Sequence, residues 1–359
     1  VRIDILLDAP PDRVVARARE LAALGVDGLF TFEGRHDVFV SLAAVAPAVP
    51  TDLMTNVAIA LPRSPLHAAH AAYDLQLLSG GRFRLGLGSQ IRPHIEKRYG
   101  AAWSRPAARL GEFVSATKAI LTAWQTGTAL DFRGEFTTHT FMPPTFDPGP
   151  NPLGIPPVLM GGLGPIMVRT AAEVADGLLA MPFNTETHFR ERTLRAVRAG
   201  LDRSGRDRDS FAIVPQVMAA IGTTAAELDD ADAGVRRLIA FYGSTPAYAP
   251  VLEVEGRAEL QGRLNALSKQ GAAARMSELI DDALLSAIAV RGTPEQCAAQ
   301  IRRRFGGAAD RVCVYFPGYT PNPEHIAALA AELHREDSFR GLPDSATARH
   351  RPDRDRNPA

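Results

Sequence analysis

The chain reads as an α/β protein of the (β/α)8 TIM-barrel class, on three observations. Eight short apolar strand signals recur along it, and nearly all are separated by segments of helical spacing. Its 359 residues, 46% of them hydrophobic, are long for an ordinary domain but normal for such a barrel. Polar clusters follow several strand signals at their C-terminal ends, where barrels gather their chemistry.

Residues 3–7 form an apolar run ended by Pro10 and Pro11, and 12–24 follow with helical spacing up to Gly25, a natural left-handed stop. The second strand, 28–32, runs into the polar burst Glu33, Gly34, Arg35, His36 and Asp37, before a helix over 38–49. A third strand spans 53–61, and Pro65 opens the helix over 66–78. Gly80 and Gly81 close that helix, and the fourth strand, 83–89, delivers Ser89 and Gln90 to the catalytic end. Gly86 and Gly88 leave room for a close approach within this strand.

An insertion at about 90–156 then interrupts the alternation, with a loop to Trp103, a helix over 106–125, a hairpin turning at Arg133 and Gly134, and a proline-rich stretch. Strands five and six are expected at 157–161 and 178–182, with helices over 165–175 and 186–204. Strand seven spans 211–221, and a Thr-Ala-Ala-Glu capping box at Thr224 opens the helix that follows it. A second insertion covers about 243–287, then come a short extended piece at 288–291, a helix from Thr293, strand eight at 311–316 and a helix over 323–335. Residues 1–340 are therefore read as one domain. The tail 344–359 has too few apolar residues to order itself.

Composition excludes several classes. Forty basic residues balance forty acidic ones and are scattered, so no nucleic-acid footprint is expected. No apolar run reaches membrane-spanning length, and Cys297 and Cys313 fit reduced thiols of a cytoplasmic protein. Nucleophile-elbow, P-loop, zinc-protease and Cys-x-x-Cys motifs are absent, and no metal site is expected. His67 and His70 share a helix outside the barrel and are read as structural or solvated. At Met160-Gly-Gly-Leu-Gly-Pro165 a strand passes into a helix through glycines, a junction whose free amides suit a phosphate.

Taken together, the FEGRHD segment 32–37, TNVAIALPRSP 55–65, DLQLLSGGRFRLGLGS 74–89, AEVADG 172–177 and GTPE 292–295 resemble the bacterial luciferase-like monooxygenase superfamily, in particular its branch dependent on the deazaflavin coenzyme F420. The resemblance implies a cofactor ring in the barrel mouth, with Glu33 and His36 as the proton-handling groups beside it. It implies a non-prolyl cis peptide at Asn56-Val57, forming a bulge over Asn56, Val57 and Ala58 behind the ring. Ser89 and Gln90 would contact the cofactor, and Gly162, Leu163 and Gly164 would carry its phosphate. The implied reaction is hydride transfer between F420 and a small organic substrate. An FMN-dependent monooxygenase, served by a separate flavin reductase, and a non-catalytic flavin- or F420-binding protein are the alternatives. A homodimer is the assembly the resemblance implies. Arg35, Arg63 and Arg92 are candidates for the F420 tail, and Trp103, Tyr242 and Tyr248 for the substrate wall.

Overall fold

The computed structural model describes residues 1–309 and 311–335; the tail expected to lack order lies outside them. Eight parallel strands form a closed barrel: β1 (Arg2–Leu6), β2 (Gly28–Thr31), β3 (Asp52–Thr55, continued by Ala58–Ile59), β4 (Phe83–Gly88), β5 (Val158–Gly162), β6 (Gly177–Ala180), β7 (Ala212–Ile221) and β8 (Arg311–Tyr315). Closure is made where β8 returns to β1, with Arg2 opposite Arg311 and Ile5 opposite Val314. The fold is thus the (β/α)8 TIM barrel that the alternation of strand and helix signals predicts.

Local chemistry starts the helices where the sequence places them. Proline stands at the first turn of helices Pro65–Leu78, Pro106–Thr126, Pro165–Val174, Pro294–Phe305 and Pro323–His334. Its missing N–H costs nothing there, and its fixed φ favours the helix. Reciprocal capping boxes at Thr224 with Glu227 and Thr293 with Gln296 start two helices. Apolar faces of the helices bury the outward residues of the strands in one large core that includes Leu29, Leu53, Val217 and Val312. No described helix is long and apolar enough to cross a membrane.

Inside the barrel, side chains form three layers. At the N-terminal end Arg311 on β8 bonds Asp4 on β1 and Asp52 on β3, and Arg84 on β4 lies 3.0 Å from Asp52. Burial disfavours the Asp52 carboxylate, but Arg84 and Arg311 outweigh it and hold its pKa below the usual range. Above this charged plug lies an apolar layer of Phe30, Met54, Leu159, Leu179, Val214 and Cys313. Leu6, Val57 and Tyr315, each only partly buried, pack on top of it and floor the barrel mouth.

The third strand departs from the continuous run the sequence suggests. Met54 pairs with Arg84 and Ala58 with Leu87, so four steps along β3 face three along β4, which is a one-residue bulge. The Asn56-Val57 peptide within it is cis. Where the ladder opens, the Thr55 hydroxyl takes over, donating to Gly86 O at 2.8 Å and accepting from Gly86 N at 2.9 Å.

Other differences are smaller. The loop after β4 contains a turn of π-helix, His94–Arg98, and the helix after β6 carries another, Phe189–Thr193. The extended piece near 290 pairs with the end of β7, Ala219 opposite Val290. In the first insertion, the hairpin strands Phe132–Arg133 and Thr138–His139 turn over Glu112, whose carboxylate accepts the N–H groups of Glu135, Phe136 and Thr137. Four helices, Ala249–Val254, Ala258–Lys269, Ala273–Glu278 and Asp282–Ile288, build the second insertion. They pack on Phe183 and Met218 in a core of their own.

Candidate active site at the barrel mouth

Glu33 lies two residues past the end of β2, and its side chain is 8% exposed. One carboxylate oxygen accepts from Ile59 N at 2.8 Å and from Arg63 Nη1 at 2.5 Å; the other accepts from the Tyr99 hydroxyl at 2.8 Å. Arg63 also donates to Ile59 O at 2.7 Å. The carboxylate therefore joins three segments, namely the loop after β2, the continuation of β3 and the segment after β4. Burial and the neighbouring Glu33 push the Tyr99 phenol up to about 12. Arg98 strengthens the joint by donating to Gly34 O at 2.9 Å.

His36, the other proton-handling candidate, lies exposed in the same loop, as does Arg35. Asp37 caps the next helix, accepting from Phe39 N at 2.8 Å and Val40 N at 3.0 Å. Phe32, just past the end of β2, is 48% exposed, with its ring lying against Gly34.

Val57 projects from the bulge onto Gly88 and Gly161. A Cβ on Gly88 would sit 2.4 Å from Val57 Cγ2, and one on Gly161 would sit 3.3 Å from Val57 Cγ1. These two glycines clear space for the bulge, which is why neighbouring strands are side-chain-free there. Ala58 is buried and pairs with Leu87. Asn56 is 4% exposed with both amide atoms lacking a hydrogen-bond partner, and it lies beside the Cys313 thiol.

At the end of β4, Gln90 takes φ 60°, a left-handed conformation that is costly for a side-chain-bearing residue. Its carbonyl accepts from Ser89 Oγ at 3.1 Å, and its own Oε1 accepts from Ile91 N at 3.1 Å. Across the barrel rim Gly162 ends β5 and Gly164 caps helix Pro165–Val174 in extended conformation. Leu163 between them buries its side chain in the insertion core, so only its backbone faces outward chemistry. Pro165 at the first helical position has no N–H, and the first-turn amides of Ile166 and Met167 have no intrahelical acceptor.

Of the remaining candidates, Arg63 is engaged with Glu33 and Arg92 with Glu96 at 2.9 Å. Tyr242 and Tyr248 flank Phe183 with ring centroids 6.2 Å away. Trp103 is partly buried. His70 packs on Trp124 at 4.7 Å, as a structural residue would. Sequence reasoning missed Tyr99, Tyr315 and Gln216 in the mouth. Only Gln216 carried a signal, as the lone polar residue in the run Ala-Ile-Val-Pro-Gln-Val-Met-Ala-Ala-Ile.

A flat ring fits this arrangement. The floor is apolar, the wall behind Val57 is cleared of side chains, and the helix Pro165–Val174 starts at the rim from Gly164. The model for the luciferase-like monooxygenase family matches residues 2–311, and the chain belongs to that family of oxidoreductases. It is 44% identical over 315 residues to the uncharacterized protein Rv1360 of Mycobacterium tuberculosis, covering 86% of this chain and 93% of that protein. It is 28% identical over 277 residues to a 5,10-methylenetetrahydromethanopterin reductase of Archaeoglobus fulgidus, covering 75% of this chain and 78% of that one. The fold matches the coenzyme F420-dependent tetrahydromethanopterin reductase of Methanopyrus kandleri with a TM-score of 0.76 at 20% identity, over 92% of this chain and 97% of that chain.

Proposed function

We propose that this protein is an F420-dependent oxidoreductase that transfers a hydride between the deazaflavin and a small organic substrate. The observation that carries the reading is the mouth itself: Val57 is pressed onto the glycine wall of Gly88 and Gly161, above an apolar floor that suits a flat ring. The similarity to a putative coenzyme F420-dependent oxidoreductase of Mycobacterium tuberculosis, 26% identical over 309 residues, supports the choice of the deazaflavin over FMN. When bound, the deazaflavin supplies the hydride donor or acceptor; the protein supplies position, proton handling and exclusion of water.

Within this reading Val57 and Ala58 back the ring, Asn56 braces the bulge from below, and Ser89 and Gln90 meet the ring's edge. The backbone of Gly162, Leu163 and Gly164 holds the phosphate. Glu33 has its carboxylate occupied by three donors. It therefore orients the mouth, and the exposed His36 is the group that exchanges the proton. Equilibrium titration of the purified protein with F420 and with FMN, each oxidised and reduced, tests the proposal. Micromolar binding of F420 with weak or no binding of FMN is expected. Preference for FMN transfers the chain to oxygen chemistry, and binding of neither removes the cofactor reading.

A further inference from the structure

Strand β7 carries one polar side chain, Gln216, near its centre. Period-two alternation puts it on the inner face with Val214 of the apolar layer, whereas Val217 packs outward against the helices. The register sets it opposite Cys313, with Met218 opposite Tyr315 just above. Gln216 therefore stands on the inner face at the level of Cys313, just below Tyr315 at the floor of the mouth. A residue so deep in a barrel strand is ordinarily sealed, and its neighbours Pro215 and Val217 are buried, yet Gln216 keeps part of its surface open. Its carboxamide makes no hydrogen bond among the described residues.

The other carboxamide at this level, Asn56 on β3, is closed off beneath the bulge. β3 and β7 are four strands apart in a barrel of eight, so the two stand on opposite walls. The rest of the floor, Leu6, Val57 and the Tyr315 ring, is apolar. A ring that descends into this mouth strips water from its polar edge, and an edge left unpaired there is penalised. A carboxamide presents a donor and an acceptor side by side. That pair complements adjacent C=O and N–H groups in a heterocycle.

We propose that Gln216 is a ligand-binding residue that hydrogen-bonds the pyrimidinedione edge of the ring held in the mouth. This rests on the ring-cofactor reading above, and because F420 and FMN share that edge, the contact fixes depth and orientation without choosing between them. The test titrates oxidised F420 and FMN, separately, against the wild type, Gln216→Met and Gln216→Glu, followed by ring fluorescence. Thermal melting verifies that each variant folds. Gln216→Met keeps the length and removes both polar atoms; it should weaken whichever cofactor the wild type binds by about tenfold or more. Gln216→Glu keeps an acceptor, loses the donor and should also bind more weakly. Wild-type affinity in a folded Gln216→Met variant overturns the proposal, while failure of the wild type to bind either cofactor overturns the ring-cofactor reading on which it rests.

Discussion

The Tyr99 hydroxyl donates a 2.8 Å hydrogen bond to Glu33 across 66 residues of sequence, tying the segment after β4 to the loop after β2. The segment from Gln90 to Gly100 is bounded by left-handed residues at both ends, φ 60° and 66°. Removing the hydroxyl in Tyr99→Phe should cost about 1.5–3 kcal/mol of stability, the range for a hydrogen bond to a charged acceptor. Tryptic cleavage at Lys97 and Arg98 should accelerate in that variant. Unchanged cleavage would show that Ile95, which is fully buried, holds the segment by itself.

Replacing Glu33 with Gln removes the charge that Arg63 faces while keeping the shape. Since the Glu33 side chain is only 8% exposed, the loss should reach about 2–3 kcal/mol, below the full penalty for breaking a buried pair. Cofactor affinity should fall with it, because Ile59 and the bulge lose their anchor. Denaturant melting and F420 titration report the two effects separately.

Gly86→Ala and Gly88→Ala should behave differently although the two glycines are one strand period apart. A Cβ at Gly86 would lie 2.0 Å from Thr55 O, a backbone atom that cannot move alone, so this variant should fail to accumulate as folded protein. At Gly88 the obstacle is the Val57 side chain, so the double variant Gly88→Ala with Val57→Ala should recover the stability that Gly88→Ala loses. Soluble yield and thermal melting of the three proteins distinguish these outcomes.

His188 supplies a pH dependence with a defined sign. Burial, and then Arg192, lower its pKa from 6.5 to about 4, while its Nδ1 lies 2.8 Å from Asn184 Oδ1. The folded state favours the neutral ring, so its contribution is present above pH 6.5 and is lost as the pH falls toward 4. His188→Gln should flatten that part of the stability profile. Parallel profiles from pH 7 to 4 would exclude His188 as the source.

At the opposite end of the barrel, Arg311→Met should destabilise by about 3–5 kcal/mol, since Asp4 would remain buried at 1% exposure without its partner. Adding Asp4→Leu should return much of the loss. Chemical denaturation of the single and double variants gives the coupling directly.

Much of the barrel was legible because its signals are local. Proline at helix starts, capping residues, and the Gly80-Gly81 stop act within a few residues of themselves, and the order of strands follows from them. The cis peptide at Asn56-Val57 stands where the family resemblance puts it. Relationships made by closure were not legible. Nothing near Glu33 announces Tyr99, and Gly86 and Gly88 advertise an absence of side chains without saying that Thr55 and Val57 require it. Arg311 reads as one more arginine among many, and only pairing of the last strand with the first sets it against Asp4. Gln216 was visible as an exception in an apolar strand, but which face it occupies needed the register.

The charged plug has a consequence for traffic. Asp4, Asp52, Arg84 and Arg311 close the N-terminal end, and the apolar layer seals the axis above them, so the barrel is a cup with one door. A molecule seated on the floor leaves only after whatever rests above it has gone. Two ligands sharing this cup must enter and depart in a fixed sequence, last in and first out, and the rate at which the upper one leaves sets a ceiling on exchange of the lower.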